Sequence, residues 1–507
     1  MNPGPASLTR NLATKSAGYV ISLLVAFVMF PVMLHRLGPV RYGVWMLIAE
    51  VTVYYTYLDL GICTAVVYYS ANDLAQSKTR DLNHTVSTAF WSVTGIGCVL
   101  GLAGFAVAGI FPAVFHLAGA EALEASRAMV IVTLAAGISL PLEAIAAALN
   151  GCRRQDVINV IDIATSVAGS IASLVCVAEG GGLLALSLIQ LSMKVLGLAC
   201  VCAALRRILP GISLAPRLWT RPCLRHLTGF GLKSMFINFG SLASSRTDLL
   251  VVGIFAGVRM VPFYGIPRNL MEYGISGIRS LTSPFCAHLT HLHAARRTEE
   301  TTGLFLRGAR ISGAAAFLLT AYITAFGPSF LRLWQGPAFV SGPARNRADI
   351  VLLILAAAFL PRLLQSISIQ LLYATRRLSF MVKLHCLEAI LRIGLSLLLV
   401  TRWGLTGVAV ANLIPIFFLQ GLAVPVYLCR TFSFPPGKYL SDAIARPFAV
   451  GLSAYLLSVI LTTSVHPVRW SVFLAEASLA AALGALLAAM IASDANERQT
   501  FYNRIAS

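Results

Sequence analysis

The chain has 507 residues, of which 57% are hydrophobic and only 12% charged, and it carries a formal net charge of +19. Soluble globular chains hold about 25% charged residues, so with a mean hydropathy of +0.79 a soluble multidomain enzyme is excluded. The basic excess would suggest nucleic acid in a soluble chain. Here it fits membrane-protein loops, whose cytoplasmic members collect Lys and Arg, and no nucleic-acid partner is expected. Lipid admits only helices and closed barrels as spanning structures. Apolar runs of about 20 residues fit helices, whereas barrel strands alternate. The expected fold is an all-α polytopic membrane protein.

Fourteen apolar segments follow in chain order: 14–35, 42–68, 86–112, 127–149, 157–178, 183–205, 229–256, 261–290, 308–327, 349–373, 379–401, 405–429, 440–463 and 470–492. The first is too long for a cleavable signal and lacks a small-x-small exit. With the N-terminus inside, 20 loop Lys and Arg residues fall in the cytoplasm against 9 outside, which places both termini in the cytoplasm. Connections are too short to fold as domains, so any chemistry sits among the helices. The ten cysteines form no C-x-x-C pair and read as small apolar fillers rather than a disulfide framework or zinc site.

An internal repeat runs at an offset near 220 residues. Lys15-Ser16 recurs as Lys233-Ser234, Tyr42-Gly43 as Tyr264-Gly265, Arg153-Arg154 as Arg376-Arg377, and Gly182-Leu183 as Gly404-Leu405, while Gln190 matches Asn412. Six spans per repeat is an even number, so the halves are parallel, a transporter plan with its site between them. The expected division is a six-helix lobe over 1–213, a second over 214–432, and an extra helix pair with a short tail over 433–507. Pro31, Pro141, Pro267, Pro284, Pro361 and Pro415 lie within or at the ends of segments, where kinks would permit gating.

About a dozen ionisable residues lie inside these segments. At about 3 kcal/mol each, lipid exposure of all of them would cost roughly 35 kcal/mol, more than the net stability of most folds. They must face a watery cavity, a partner charge or an interface. Arg268, Glu272 and Arg279 lie within about 40° of one another on segment 261–290. Asn238, Ser241, Ser245 and Asp248 stripe segment 229–256, with Arg246 beside them. Gln190 and Lys194 share a face of 183–205, Arg362 stands on 349–373, and Glu388 and Arg392 share a face of 379–401 with His385. Basic groups outnumber acids, and a cationic cavity suits an anionic cargo.

Plainer roles compete at several of these positions. Arg268 with Glu272, and Arg392 with Glu388, would serve equally as helix-packing ion pairs. Lys233 sits where a lysine snorkels, and Glu143 fits a structural hydrogen bond. Asp59, Asp248, Glu272 and Glu388 read as coupling sites or as counter-charges to the arginines. His288, His291 and His293 lack an accompanying carboxylate or Cys and precede Arg296-Arg297, which fits interfacial anchoring better than a metal site; no metal or cofactor is expected beyond coupling to H⁺ or Na⁺.

The stretch Leu37-Gly38-Pro39-x-x-Tyr42-Gly43-x-Trp45, followed by Leu58-Asp59-Leu60-Gly61, resembles the opening of bacterial polysaccharide transporters. These are the lipid-linked oligosaccharide flippases of the multidrug/oligosaccharidyl-lipid/polysaccharide exporter superfamily. Asp248, Gly257, Tyr264-Gly265 and Pro284 continue the likeness, which covers residues 10–430 and, more loosely, the final pair. The resemblance implies twelve helices in two lobes, with helices 1, 2, 7 and 8 lining a central cavity, and often two further C-terminal helices. It also implies a polyprenyl-pyrophosphate-linked sugar repeat as cargo, moved to the outer leaflet of the bacterial cytoplasmic membrane.

Together these readings give a non-enzymatic flippase for an O-antigen or exopolysaccharide repeat unit, working by alternating access among membrane lipids and polysaccharide polymerase or assembly proteins. Arg246, Arg268, Arg279, Lys194, Arg362 and Arg392 are the candidate cargo-binding cations. Asn238, Ser241, Ser245, Gln190 and Asn412 are the candidate sugar contacts. A cation-coupled exporter of soluble small molecules is the alternative; a membrane glycosyltransferase or a non-transporting scaffold fits less well.

Overall fold

The computed structural model describes residues 5–492 except 57, 77, 376 and 466–468. Some helical side chains, chiefly those of 5–17, 232–241 and 243–245, also lie outside the description. Every described span is helical. The elements are α1 (Pro5–Thr56), α2 (Ile62–Ala75), α3 (Thr79–Val114), α4 (Gly119–Gly151), α5 (Gln155–Ala178), α6 (Leu183–Ile208), α7 (Arg221–Val251) and α8 (Val261–Ala294). They continue as α9 (Thr298–Gln335), α10 (Ala348–Leu364), α11 (Ser366–Ala374), α12 (Leu378–Ile416), α13 (Val424–Phe432), α14 (Pro436–Leu440), α15 (Arg446–Val465) and α16 (Trp470–Ala492).

Ten stretches of described helix are long and apolar enough to cross a membrane. Two of them are broken by glycines with positive φ, at Gly38 in α1 (φ 78°) and Gly404 in α12 (φ 59°). Taking their halves separately, and adding the more polar α7 and α8, gives the fourteen segments expected from the sequence. The chain is an all-α polytopic membrane protein. It forms two compact units, residues 1–262 and 263–507.

The expected span 42–68 is not one helix. α1 ends at Thr56 and α2 begins at Ile62, because Leu60 (φ 56°) and Gly61 (φ 71°) both adopt left-handed backbone. Asp59 restarts the helix: its Oδ1 accepts from the Gly61 N–H at 2.9 Å and its Oδ2 from the Cys63 N–H at 3.0 Å. A carboxylate answering free N–H groups is a strong N-terminal cap. In the first unit the other motif glycine, Gly43, lies so close to the Val258 carbonyl that a Cβ would overlap it. Small residues let helix backbones approach in lipid, and Gly97 against Gly137 does the same where α3 crosses α4.

The repeat is visible in backbone and side chains. Gly38 (φ 78°, ψ 166°) and Gly257 (φ 91°, ψ 154°), 219 positions apart, make the same turn. The turn before α6 is clasped by Glu124, whose Oε1 accepts from the Leu183 N–H at 2.9 Å and would stand 2.5 Å from a Cβ on Gly182. In the second unit Asn346, 222 residues after Glu124, stands in the same way 2.6 Å from a Cβ on Gly404. The last two long helices, α15 and α16, pack on α9: Gly451 meets the Phe317 backbone, and the Tyr322 hydroxyl donates to the Ala480 carbonyl at 2.9 Å.

Gly43→Val should lower the thermal midpoint in detergent by an amount corresponding to about 1–3 kcal/mol or more, since overpacking against backbone has no cheap relaxation. Gly109→Ala, at a helical position with nothing within 4 Å, should leave it unchanged; fluorescence-detected size exclusion after heating reads both.

Candidate functional site

Within the first unit α1, α4, α5 and α6 line an open cavity of about 550 Å³. α5 supplies one polar wall: Asp162, Thr165, Ser166, Ser170 and Ser173 line it, at spacings of three and four that put them on one helical face. α4 adds Ser139 and Glu143, α6 adds Gln190 and Lys194, and the second half of α1 adds Trp45 and Ala49. Lys194 lies within electrostatic reach of both Glu143 and Asp162. Three of the hydroxyls spend their protons on helix carbonyls: Ser139 on Ala136 at 2.7 Å, Thr165 on Ile161 at 2.9 Å, and Ser170 on Ser166 at 2.8 Å. A hydroxyl has one proton and two lone pairs, so these three offer acceptors to the cavity.

Still in the first unit, α1 and α7 meet through polar groups. Arg246 Nη1 stands 3.7 Å from Glu50 Oε2, and Tyr54 and Thr247 share a hydrogen bond of 3.2 Å between their hydroxyls. Glu50 is buried while the Arg246 side chain stays one-third exposed, the disposition of a cation partly compensated and still accessible. Asp248 is buried. Asp59 is turned to the α2 backbone, as described above. The side chains of Asn238, Ser241 and Ser245 lie outside the described residues.

In the second unit a charge cluster links α12 with the π-helical stretch 417–423. Glu388 is fully buried; its Oε1 accepts from Arg392 Nη1 at 3.3 Å and its Oε2 from Gln420 Nε2 at 3.0 Å, with His385 Nδ1 3.9 Å away. Arg362 of α10 acts on both Glu388 and His385. Asn412 is also buried, donating to the Tyr264 hydroxyl at 3.2 Å and to the Val408 carbonyl at 2.9 Å. On α8, Arg268 is buried, Glu272 half-buried and Arg279 exposed.

The structure thus gathers Gln190 and Lys194 in the first-unit cavity and Arg362, Glu388 and Arg392 in the second-unit cluster. Sequence reading passed over Glu50, Asp162 and Gln420, and met Trp45 only as part of the family motif. Asp162 had a signal, the hydroxyl stripe that follows it on α5. Glu50 and Gln420 had none, because their partners stand on other helices.

Residues 32–288, just over half the chain, match the model of a family described as "Polysaccharide biosynthesis protein". The chain belongs to that family. The matched region contains the Gly38-to-Gly61 motif, the first-unit cavity lining apart from Met29, and α7 with most of α8. This family member also shares its fold with solved transporters. An inward-facing multidrug resistance MATE family transporter of the MOP superfamily aligns over 80% of this chain and 94% of its own, at 14% identity and a TM-score of 0.67. Lipid II flippase MurJ in an inward closed conformation aligns over 96% and 100%, at 12% identity and 0.67. A MOP superfamily transporter from Pyrococcus furiosus, described as having a binding pocket of reverse polarity, aligns over 84% and 95%, at 14% identity and 0.54. No protein of curated function matches by sequence.

For the second-unit cluster, removing one partner leaves an uncompensated buried charge, which costs about 3–5 kcal/mol. Glu388→Leu and Arg392→Met alone should each lower the thermal midpoint strongly. The double variant should recover only part of the loss, because Arg362 also loses its acid; thermal unfolding of purified protein reads all three.

Proposed function

We propose that this polysaccharide biosynthesis protein is a flippase for a polyprenyl-pyrophosphate-linked oligosaccharide, an O-antigen or exopolysaccharide repeat unit. It would act in the bacterial cytoplasmic membrane with both termini cytoplasmic. One observation carries the reading: a chain of the polysaccharide biosynthesis family has, over 96% of its length, the fold of a lipid II flippase. The described helix connections support a transporter over an enzyme, since the longer ones, 209–220 and 336–347, hold only short turns.

In this mechanism the lobes 1–213 and 214–432 rock in alternating access, and the pair 433–507 supports the second lobe through α9. Arg246 and Arg279, both accessible, bind the pyrophosphate by charge-assisted hydrogen bonds. Buried Arg268 acts as fixed positive background. Sugar hydroxyls meet the polar helix faces while the prenyl tail stays in lipid. Coupling to H⁺ or Na⁺ runs through Asp248 or Glu272, and polymerase or assembly proteins take the product.

A second reading, a cation-coupled exporter of soluble small molecules, draws on the two carboxylates, Glu143 and Asp162, against one lysine in the first-unit cavity. The two separate in cells. Without this protein, finished lipid-linked oligosaccharide should accumulate on the cytoplasmic side, whereas an unchanged pool during active glycan synthesis favours the exporter. Arg246→Ala with Arg279→Ala should reproduce the accumulation at normal expression, and turnover like wild type in that double variant removes both arginines from cargo binding.

A further inference from the structure

The first-unit cavity is built for a neutral polyhydroxyl ligand, and we propose that it is a saccharide-binding chamber that receives sugar rings of the cargo. The inference rests on the reading of the cargo as a glycan-bearing lipid and adds to it where the glycan goes. Three features of the lining support it.

The first is hydrogen-bond polarity. Ser139, Thr165 and Ser170 have given their protons to helix carbonyls and present lone pairs. Glu143 and Asp162 add carboxyl oxygens as further acceptors. A cavity rich in acceptors selects a ligand rich in donors, and sugar hydroxyls are donors set in adjacent pairs that one carboxylate can bind with both oxygens. Gln190 and Lys194 supply the donors that ring and glycosidic oxygens need.

The second is charge. An anion would meet two carboxylates. A bare metal ion needs several ligands closing on it at about 2.3–2.6 Å, whereas the described residues hold no group of three or more His, Cys, Asp or Glu that could do so, and the Lys194 ammonium stands within reach of both acids. Lys194 offsets one of the two acids, so the lining disfavours an anion and suits a polar guest rich in donors.

The third is shape. From Asp162 to Ser173 the α5 wall rises about 16 Å at 1.5 Å per residue, enough for more than one ring. The volume lies within the about 300–1,000 Å³ of ordinary ligand sites. Half-buried Trp45 gives the chamber an aromatic surface, and such side chains pair an apolar face with a polar N–H. The C–H face of a pyranose complements the first and its hydroxyls the second.

The test is saturation-transfer NMR on the purified full chain in nanodiscs, with free cellobiose, chitobiose and a uronic-acid disaccharide as probes and tetraethylammonium as the cationic comparison. At least one disaccharide should give a signal that Asp162→Asn and Ser166→Val each reduce about fivefold or more, the scale of one lost buried hydrogen bond. Ser166→Thr should retain it, with thermal midpoints unchanged throughout. No disaccharide signal from folded wild type, a signal indifferent to both substitutions, or an Asp162-dependent signal from tetraethylammonium alone would overturn the proposal. Accumulation of lipid-linked oligosaccharide in cells lacking the protein, beside any of those results, removes the chamber and leaves the flippase standing.

Discussion

A hydrocarbon layer offers no water to a polar group, and most of the molecule's construction answers that fact. Every backbone amide in a span must be satisfied within its own helix, so breaks occur only where something replaces the lost partner. Asp59 does this at the start of α2, giving both carboxylate oxygens to backbone N–H groups. Glu124 does it at α6. Two buried acids obey the same rule: Glu388 is surrounded by Arg392, Gln420, His385 and Arg362, and Glu50 stands against Arg246. Polar groups left facing open space then become informative, because the fold gains nothing from keeping them there. The first-unit cavity gathers such groups.

The two repeats use one scaffold in different ways. Gly38 and Gly257 make the same turn, and Glu124 and Asn346 clasp the same later turn. Tyr42 and Tyr264 are both buried. At the matched polar position the halves diverge: Gln190 faces the cavity, whereas Asn412 is sealed against Tyr264. The first half presents an open polar cavity, whereas the second carries a compensated charge cluster.

Much of the fold was legible in the sequence because lipid makes hydropathy a strong signal. The fourteen segments and the short connections followed from it, and the repeat from short motifs recurring at an offset near 220 residues. The break in the second segment was not, although Leu58-Asp59-Leu60-Gly61 spells it out in retrospect: two left-handed residues after a capping Asp. The motif carrying the family resemblance proves to be largely architectural, with Gly38 turning the chain, Gly43 admitting the Val258 carbonyl and Asp59 capping α2. Of the candidate site, stripes on a single helix could be read, as on α6 with Gln190 and Lys194. Pairings between helices could not, because Glu50 and Arg246 lie 196 positions apart in the chain and nothing local to either announces the other.

The most direct test of the account is transbilayer movement in vitro. Purified protein would be reconstituted into vesicles holding a polyprenyl-pyrophosphate oligosaccharide, and the fraction open to an externally added, membrane-impermeant glycosidase followed with time. The account predicts that vesicles with the protein expose nearly the whole pool to the enzyme, while protein-free vesicles expose only the outer half. Equal exposure in both, with protein that is folded and inserted, would contradict it.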